Sequence, residues 1–255
     1  MVAAARPVGV ICALAEELVA LEAALAGKRA SRRAGVRLIF GRIDGKRVVL
    51  AEGGVGKVSA AAIATLLVER YECRALANSG VAGGLDPRWG IGDILIADRM
   101  AQHDFGAVTD KGWRYFRGGQ PPWPGPVTDL YFRLSPERRA RLARVLAGFA
   151  LPPLSAAVTG KPRRPKWGFG TIVTGDQFVS SAKLGRRLRA DFGAQATEME
   201  GAAVAQVAER YRLPWLVVRA LSDRADGQSI RDIRAFLEES GRSAAMVLTR
   251  LLPAL

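Results

Sequence analysis

The sequence predicts an α/β fold: a single domain with a mixed central β-sheet and helices on both of its faces. Short apolar runs typical of buried strands alternate with longer segments in which apolar residues recur at helical spacing. The chain has 255 residues, 49% of them hydrophobic, which is enough for one sizeable core. We therefore expect one domain over residues 1–255, with irregular insertions at about 105–130 and 151–167.

The first elements of the chain have the clearest patterns. The apolar run 8–14 predicts a buried strand, and leucines at helical spacing in 16–26 predict the helix that follows it. The dipeptide Asp44-Gly45 favours a tight turn, so 36–43 and 47–52 are expected to form a β-hairpin.

The same alternation continues to the C-terminus. The remaining predicted strands are 74–79, 93–100, 170–174 and 213–221, and the remaining predicted helices are about 57–70, 136–149, 182–192, 200–210 and 230–252. Prolines and glycines at 118–126 predict irregular structure, in a connection long enough to suggest a function.

The formal net charge of +14 raises the question of a polyanionic partner. Most arginines lie on predicted helix faces, a pattern typical of solvated surfaces. The densest basic loop, 161–167, is able to hold phosphate groups, but no nucleic-acid-binding signature accompanies it. We expect a solvated loop here and no nucleic-acid partner.

The sequence also indicates a cytoplasmic protein without a membrane partner. Its apolar runs are far shorter than the roughly 20 residues of a membrane-spanning helix. The first seven residues lack the apolar core of an export signal. Cys12 and Cys73 have neither metal-ligand spacing nor a nearby histidine, so both are expected to be reduced core thiols.

Two glycine-rich segments are candidates for close contact with a ligand. The segment 53–58 lacks the first glycine and the hydroxyl residue of a nucleoside-triphosphate loop, and 80–84 lacks the spacing of a dinucleotide-binding loop. We interpret both as strand-to-helix turns where glycine, having no Cβ, lets the backbone approach a ligand. A plain turn is the alternative for each.

Acidic residues follow several of the predicted strands. They are Glu16-Glu17 after the first strand, Glu198-Met199-Glu200, and Asp223 after the last strand. Because α/β sheets bind ligands outside the carboxyl ends of their strands, these acids are expected to converge on one cleft. Three acids suffice to hydrolyse a glycosidic bond: one binds ribose hydroxyls, one takes a proton from water, and one protonates the leaving group. A favourable interaction with a helix dipole is the simpler reading of any single glutamate at a helix start.

Several segments occur in the order found in 5′-methylthioadenosine/S-adenosylhomocysteine nucleosidases, and the chain resembles that branch of the nucleoside phosphorylase family. The segments are 13–18, 53–58, 78–85, 92–93, 103–104, 174–179, 198–200 and 222–223. The resemblance runs from residue 8 to about 228, apart from the two expected insertions. It implies a nucleoside phosphorylase-like fold, a part in methionine salvage, a homodimer, and no metal or organic cofactor.

The resemblance also implies a role for each acid. Glu17 would activate the attacking water, with Glu16 as the alternative, while Glu200 would bind the ribose hydroxyls and Asp223 would protonate adenine at N7. The other implied contacts are Met199 on the sugar, Phe178 stacked on adenine, the Val179 backbone at its edge, Ser222 beside Asp223, Val55 and Leu14 near the 5′-alkylthio group, and Glu198, Ala82 and Gly83.

Two alternatives to this hydrolase remain open. A phosphate-dependent phosphorylase of the same fold would act on another 5′-substituted adenosine, but the pair Glu16-Glu17 would repel phosphate. A non-catalytic nucleoside- or polyanion-binding member of the fold would lack the three acids. Val81 stands where these nucleosidases usually carry a small hydroxyl residue, so the preferred 5′-substituent stays open.

Two further expectations concern residues outside the acids. His103, the only histidine, is expected to be structural or at the cleft rim rather than catalytic. The aromatic residues Trp113, Tyr115, Phe116 and Trp123 of the first insertion are expected to cover the 5′-group of a neighbouring subunit, with local packing as the alternative.

Overall fold

The computed structural model describes residues 6–121, 129–223 and 233–255, which form a ten-stranded mixed sheet, a separate hairpin and flanking helices. The strands of the main sheet are β1 Val8–Cys12, β2 Ala26–Arg33, β3 Val36–Ile43, β4 Lys46–Glu52, β5 Ala75–Gly84, β6 Ile94–Gln102, β9 Phe132–Arg133, β10 Trp167–Thr174, β11 Ala196–Glu198 and β12 Trp215–Asp223. The hairpin consists of β7 Gly106–Thr109 and β8 Gly112–Tyr115. The helices are α1 Ala15–Ala23, α2 Lys57–Tyr71, α3 Pro136–Val145, α4 Ala156–Thr159, α5 Ala182–Phe192, α6 Gly201–Arg210 and α7 Ile233–Leu251, followed by the 3₁₀ turn Leu252–Ala254.

The strand order of the main sheet is β11-β10-β6-β12-β5-β1-β4-β3-β2, with β9 paired to β6. Parallel pairs such as β1–β5 and β5–β12 are combined with antiparallel pairs such as β6–β12, so the predicted mixed sheet is confirmed. β11 also pairs with β5, which closes β5, β12, β6, β10 and β11 into a barrel. In this closure Gly83 lies opposite both Thr197 and Asp223, so the second acidic segment and the last strand end are brought together.

The helices form two groups on the sheet, as the sequence predicts. α1 packs on α7, which covers β12 and β5, while α2 packs on α6, which covers β5, β6, β10 and β12. The core between them consists of apolar side chains from all of these elements, including the fully buried Ile11, Leu50 and Leu216. Cys12 and Cys73 are buried, unpaired thiols. In the described part of the chain, no helix is both long enough and apolar enough to cross a membrane.

The largest element missing from the sequence-based expectation is β2. Its eight residues are all exposed, and β3 is the only described strand that pairs with it, at one edge of the sheet. Such a strand shows neither an apolar run nor the alternation of a half-buried strand, which are the signals that predict strands. Its basic residues are typical of exposed edge strands, where charge opposes pairing with another chain. The helix expected over 16–26 accordingly ends at Ala23.

One of the two glycine-rich segments is wrongly predicted. Residues 53–56 do form the turn into α2, but residues 80–84 continue β5 and do not turn into a helix. The reason is the barrel closure, in which β5 stays paired with β12 and β11 up to Gly83 and Gly84.

Both insertions are less irregular than expected. Residues 106–115 form the β7–β8 hairpin, on which Tyr115 packs edge-on against Phe192 with 4.5 Å between ring centroids. In the second insertion, α4 lies between Leu154 and Arg163, which form a β-bridge. β10 begins at Trp167, three residues earlier than expected. Trp123 lies outside the described residues.

Candidate active site

A cavity of about 230 Å³ opens where α1, β5, β11 and β12 meet the loops after β4 and β10. It brings together all of the acids and contact residues that the resemblance assigns to the site, but not Glu16, the alternative to Glu17. The lining residues are Ala13, Leu14, Glu17, Val55, Val81, Ala82, Gly83, Gln177, Phe178, Val179, Thr197, Glu198, Met199, Glu200, Ser222 and Asp223.

Of the first acidic pair, only Glu17 faces the cavity, while Glu16 is exposed to solvent. Glu17 is 4% exposed, and its Oε2 accepts the backbone N–H groups of Ala13 (3.0 Å) and Leu14 (3.1 Å) at the start of α1. Its Oε1 accepts the N–H of Val81 on β5 (3.0 Å). Burial raises the pKa of Glu17, while the charge of Arg219 and these backbone bonds act in the opposite direction. Glu17 is thus an oriented carboxylate that holds a proton more tightly than an exposed one.

Arg219 lies at the centre of a group that we name the carboxylate cluster: Glu17, Glu198, Glu200 and Arg219. Its guanidinium is fully buried, forms an ion pair with Glu198 and lies 3.4 Å from Glu200 Oε2. Gly80 makes this arrangement possible, because a Cβ at that position would lie 2.5 Å from both Arg219 Nη1 and Glu17 Oε1. Three carboxylates therefore share one buried cation.

Glu198 lines the cavity, but its carboxylate is already extensively bonded within the protein. It accepts hydrogen bonds from Arg219, from the Thr174 hydroxyl, and from the backbone N–H groups of Glu200 (3.1 Å) and Gly201 (2.8 Å) at the start of α6. A carboxylate at a helix N-terminus is also favoured by the helix dipole. These bonds hold the end of β11 against the start of α6.

Glu200 has more free capacity than Glu198. Its Oε1 accepts the backbone N–H of Gly56 (2.9 Å), which belongs to the turn before α2. Burial and the neighbouring charge of Glu198 raise the pKa of Glu200 from 4.5 to about 7, against the lowering effects of Arg219 and the Gly56 bond. Glu200 is therefore an acceptor whose charge changes near neutral pH.

Asp223 ends β12 on the side of the cavity next to β5. The Ser222 hydroxyl lies 2.6 Å from Asp223 Oδ2 and 3.2 Å from the carbonyl oxygen of Ala82. This contact restricts the orientation of the Asp223 carboxyl group at the cavity wall.

Apolar residues surround the mouth of the cavity. Phe178 is 80% exposed and Val55 is 51% exposed, although both line the cavity, whereas Val179 beside Phe178 is buried. An exposed aromatic ring at a cavity mouth offers a face on which a planar base can stack. The cavity thus combines an acidic floor with an apolar rim.

His103 does not line the cavity, in agreement with the sequence-based expectation. It is 5% exposed, and Gly175 leaves room for its ring, since a Cβ there would collide with the imidazole. Burial lowers the pKa of His103. A buried imidazole that does not line the cavity is not positioned for proton transfer to a molecule bound there.

Sequence reasoning missed Arg219 as a site residue. The available signal was an arginine inside a strand whose other residues up to Ser222 are buried, in an otherwise apolar run. A buried cation in such a strand requires a buried anion nearby. Asn78, whose side-chain oxygen accepts a hydrogen bond from Arg219, was likewise not recognised.

The basic loop at 161–167 has an internal explanation. Arg163 forms an ion pair with the buried Asp93 (2.6 Å), and the backbone N–H of Lys166 donates to the same carboxylate (2.9 Å). Lys166 Nζ lies 4.8 Å from the centre of the Trp89 ring. We name Asp93, Arg163 and Lys166 the Asp93 cluster. Two of the cations in this loop are thus bound to the protein itself.

The described residues include no group of three or more His, Cys, Asp or Glu side chains arranged to hold a metal ion. The carboxylates of the cavity offer a chemistry of their own. One of them is an oriented base, one accepts hydrogen bonds, and one lies on the opposite strand beside a hydroxyl. Such a set can activate water, bind a diol and protonate a leaving group.

Comparison with known proteins agrees with this geometry. The sequence profile of the phosphorylase superfamily matches residues 7–253. A 5′-methylthioadenosine/S-adenosylhomocysteine nucleosidase of Mycobacterium tuberculosis is 45% identical over 248 residues, which cover 97% of each chain.

Solved structures give the same result at the level of the fold. The nucleosidase of the same name from Streptococcus pneumoniae, determined with a transition-state inhibitor, has a TM-score of 0.80 and 33% identity, covering 97% of this chain and 99% of that one. A futalosine hydrolase of Helicobacter pylori has a TM-score of 0.80 and 26% identity, covering 98% of each chain.

Proposed function

The chain belongs to the phosphorylase superfamily and, within it, to the 5′-methylthioadenosine/S-adenosylhomocysteine nucleosidases, and we propose that its cavity binds such a nucleoside and performs the hydrolysis. The reaction breaks the N-glycosidic bond between adenine and a 5′-thio-substituted ribose. Water supplies the hydroxyl group on the sugar, and adenine leaves with a proton.

The carboxylates divide the chemistry among them. Glu17 takes a proton from the attacking water, since its oxygens are held by three backbone N–H groups and its pKa is raised by burial. Glu200 accepts hydrogen bonds from the ribose hydroxyls, and Met199 packs against the sugar. Asp223, oriented by Ser222, delivers a proton to N7 so that adenine leaves as a neutral base.

The observation that carries the proposal is the balance of charge in the cavity. Among the described residues, the lining includes Glu17, Glu198, Glu200 and Asp223 but no lysine or arginine. Arg219, which does not line the cavity, is fully buried and already paired with Glu198. A phosphorylase needs cationic or N–H donors for a phosphate dianion beside the ribose. Carboxylates there favour water as the nucleophile.

The rim of the cavity supports the assignment of the remaining contacts. Phe178 stacks on adenine, the Val179 backbone binds its edge, and Ala82 and Gly83 supply close backbone approach along β5. Leu14 and Val55 provide an apolar wall for the 5′-alkylthio group, and a thioether is favourably placed against such a surface.

A homodimer is the second part of the proposal. Val55 and Phe178 at the cavity mouth are 51% and 80% exposed, and Val58, three residues after Val55, is 81% exposed. Exposed apolar side chains of this kind are typical of a surface that a partner covers. Tyr115 packs locally on Phe192 and Phe116 is buried within its own chain, so the aromatic cover across the dimer stays a prediction for Trp113 and Trp123. The cytoplasmic location and the part in methionine salvage also stay predictions.

The function is tested by incubating the purified protein with 5′-methylthioadenosine, S-adenosylhomocysteine, adenosine and futalosine, each with and without phosphate. We expect adenine release from the first two at rates that do not depend on phosphate. Release that requires phosphate, with a ribose 1-phosphate as product, would identify a phosphorylase. Faster turnover of futalosine would retain the reaction class and change the substrate.

The Asp223→Asn variant tests the proton donor in the same assay. An amide cannot deliver the N7 proton, so adenine release should fall by roughly a hundredfold or more. Circular dichroism and unfolding should show a folded protein. Near-normal turnover in that folded variant would remove Asp223 from the proposal.

A further inference from the structure

Three charged residues near the cavity have no part in the chemistry described so far. Lys57 is the first residue of α2, Asp104 follows β6, and Asp176 follows β10. Lys57 Nζ donates to Asp104 Oδ1 (2.5 Å) and lies 3.7 Å from Asp176 Oδ2. The Asp176 backbone N–H donates to Asp104 Oδ2 (2.8 Å). We name Lys57, Asp104 and Asp176 the loop clamp.

Lys57, one member of the loop clamp, lies at an unfavourable position for a cation. A lysine in the first turn of a helix is opposed by the helix dipole, which favours anions there. In this chain Asp176 Oδ1 accepts the Lys57 backbone N–H (2.8 Å) and Asp104 pairs with the Lys57 side chain. Lys57 and Asp104 are 17% and 15% exposed, so their ion pair is shielded more than a surface pair. The bonds to Asp104 and Asp176 therefore offset the unfavourable position of the Lys57 charge.

The clamp joins the loops that carry both sides of the cavity rim. Lys57 immediately follows the turn with Val55 and Gly56, and Asp176 precedes Phe178. Asp104 accepts hydrogen bonds from both loops and is thus the central member.

The loop clamp is also connected to Glu200, through the backbone of Gly56. Gly56 donates its N–H to Glu200 Oε1 (2.9 Å), and this residue directly precedes Lys57. Gly56 has a φ of +97°, and a Cβ there would lie 3.1 Å from Asp176 Oδ1. The turn can therefore adopt this conformation, with Asp176 against it, because residue 56 is glycine.

From this chain of contacts we propose that Lys57, Asp104 and Asp176 are positioning residues that aim the Gly56 N–H at Glu200 and thereby set the orientation of the ribose-binding carboxylate. The proposal rests on the function proposed above, in which Glu200 binds the ribose hydroxyls. It adds residues that touch neither the water nor the base. A carboxylate with a displaced donor would still lie in the cavity but would meet the ribose at a poorer angle.

The test uses Asp104→Asn, because an amide of the same shape cannot accept at both of its ends. Arg37→Met is the matched control: it removes an ion pair of comparable length, Arg37 to Glu22 at 2.9 Å, at a site away from the cavity. Each protein is assayed with 5′-methylthioadenosine and with its 2′-deoxy analogue. The same assays are made in a Glu200→Gln background.

We expect Asp104→Asn to lower kcat/KM for 5′-methylthioadenosine by roughly tenfold, chiefly by raising KM. The loss should be smaller for the 2′-deoxy analogue, which lacks a hydroxyl for Glu200. It should largely vanish in the Glu200→Gln background, because coupled residues are not additive. Lys57→Arg, which keeps the charge, should retain more activity than Lys57→Met. Equal losses on both substrates, additive with Glu200→Gln, would leave only a structural ion pair and overturn the proposal.

A second measurement does not depend on activity. The exchange rate of the Gly56 amide hydrogen should rise at least about tenfold in Asp104→Asn and stay unchanged in Arg37→Met, since its hydrogen bond to Glu200 protects it. Unchanged exchange in Asp104→Asn would overturn the positioning role. If the wild-type protein releases no adenine, the proposed function fails, while the Gly56 exchange rate still decides whether the clamp holds this donor.

Discussion

The carboxylate cluster and the Asp93 cluster both pair buried carboxylates with an arginine, but their balance of charge differs. In the first, Glu17, Glu198 and Glu200 surround the single cation Arg219. In the second, the single carboxylate of Asp93 receives Arg163 and backbone N–H groups, including that of Gly90 (2.9 Å). One cluster has an excess of acid, and the other has its one acid fully bonded.

This difference separates a chemical site from a structural contact. Where carboxylates outnumber the cation, burial is not fully offset, so the pKa of Glu17 is raised and that of Glu200 is raised to about 7. A carboxyl group with a pKa of about 7, as in Glu200, exchanges protons near neutral pH, as acid–base chemistry requires. In a chain with a net charge of +14, the cavity is locally acidic. The overall charge therefore says little about the substrate.

The largest effect is expected from removing the shared cation with Arg219→Met. The buried carboxylates would then lack their counter-charge, and the free energy of unfolding at pH 8 should fall by about 3 to 5 kcal/mol. Denaturant unfolding measures the loss. At pH 5 the loss should be smaller, because Glu200, whose pKa is about 7, is then largely protonated and no longer needs a cation. A loss that does not change with pH would mean that Arg219 acts by packing and not by charge.

Glu17→Gln should remove the chemistry while the protein remains folded. An amide cannot take a proton from water, so kcat should fall by roughly a hundredfold or more, with little change in nucleoside binding. The comparison variant is Glu16→Gln, which alters the exposed neighbour and should stay within about twofold of the wild type. If Glu16→Gln proves the more damaging change, the assignment of the two glutamates is reversed.

Sequence patterns were sufficient for the class of fold and for most strand positions. They also nominated the acids that line the cavity, because carboxylates at the ends of apolar strands are unusual unless a ligand or a cation meets them. The distinction between Glu16 and Glu17 followed from the resemblance, and their environments differ because α1 turns only one of them inward.

The features that the sequence patterns did not predict depend mostly on contacts between residues far apart in the chain. Arg219 meets Glu198 only because β11 and β12 both flank β5 in the closed barrel, and pairing of β11 with β5 carries no local signal. The same closure keeps Gly80 to Gly84 in a strand, where local composition favours a turn. β2 was missed because a fully exposed edge strand has no hydrophobic period.

The Arg163→Met variant tests the role of the Asp93 cluster. The buried carboxylate of Asp93 would keep its backbone donors but lose its guanidinium, which should lower the free energy of unfolding by about 2 kcal/mol. The kcat/KM for 5′-methylthioadenosine should stay within about twofold of the wild type, measured well below the melting temperature. A large loss of activity without loss of stability would mean that the two clusters are not separate in function.

The smallest expected effect is a pH dependence of activity and stability that the carboxylate cluster causes and the Asp93 cluster does not. Burial raises the pKa of both Glu17 and Glu200, and each must be ionised, one to accept a proton and the other to accept ribose hydroxyls. The kcat/KM should therefore rise by roughly fivefold between pH 6 and 7, as the ionised fraction of Glu200 increases, and by less than about twofold between pH 7 and 8. The stability that Glu200 contributes changes in the opposite sense. Its pKa in the folded protein, about 7, exceeds its ordinary value of 4.5, so the folded state binds the proton more tightly.

That contribution is fully present below pH 4.5 and is lost as the pH rises through about 7. Glu200→Gln should accordingly flatten the dependence of the free energy of unfolding on pH in this range, whereas Arg163→Met should leave it unchanged. A wild-type activity that is constant from pH 5.5 to 8 would show that neither carboxylate titrates there, and the excess of acid in the cavity would then have no chemical consequence.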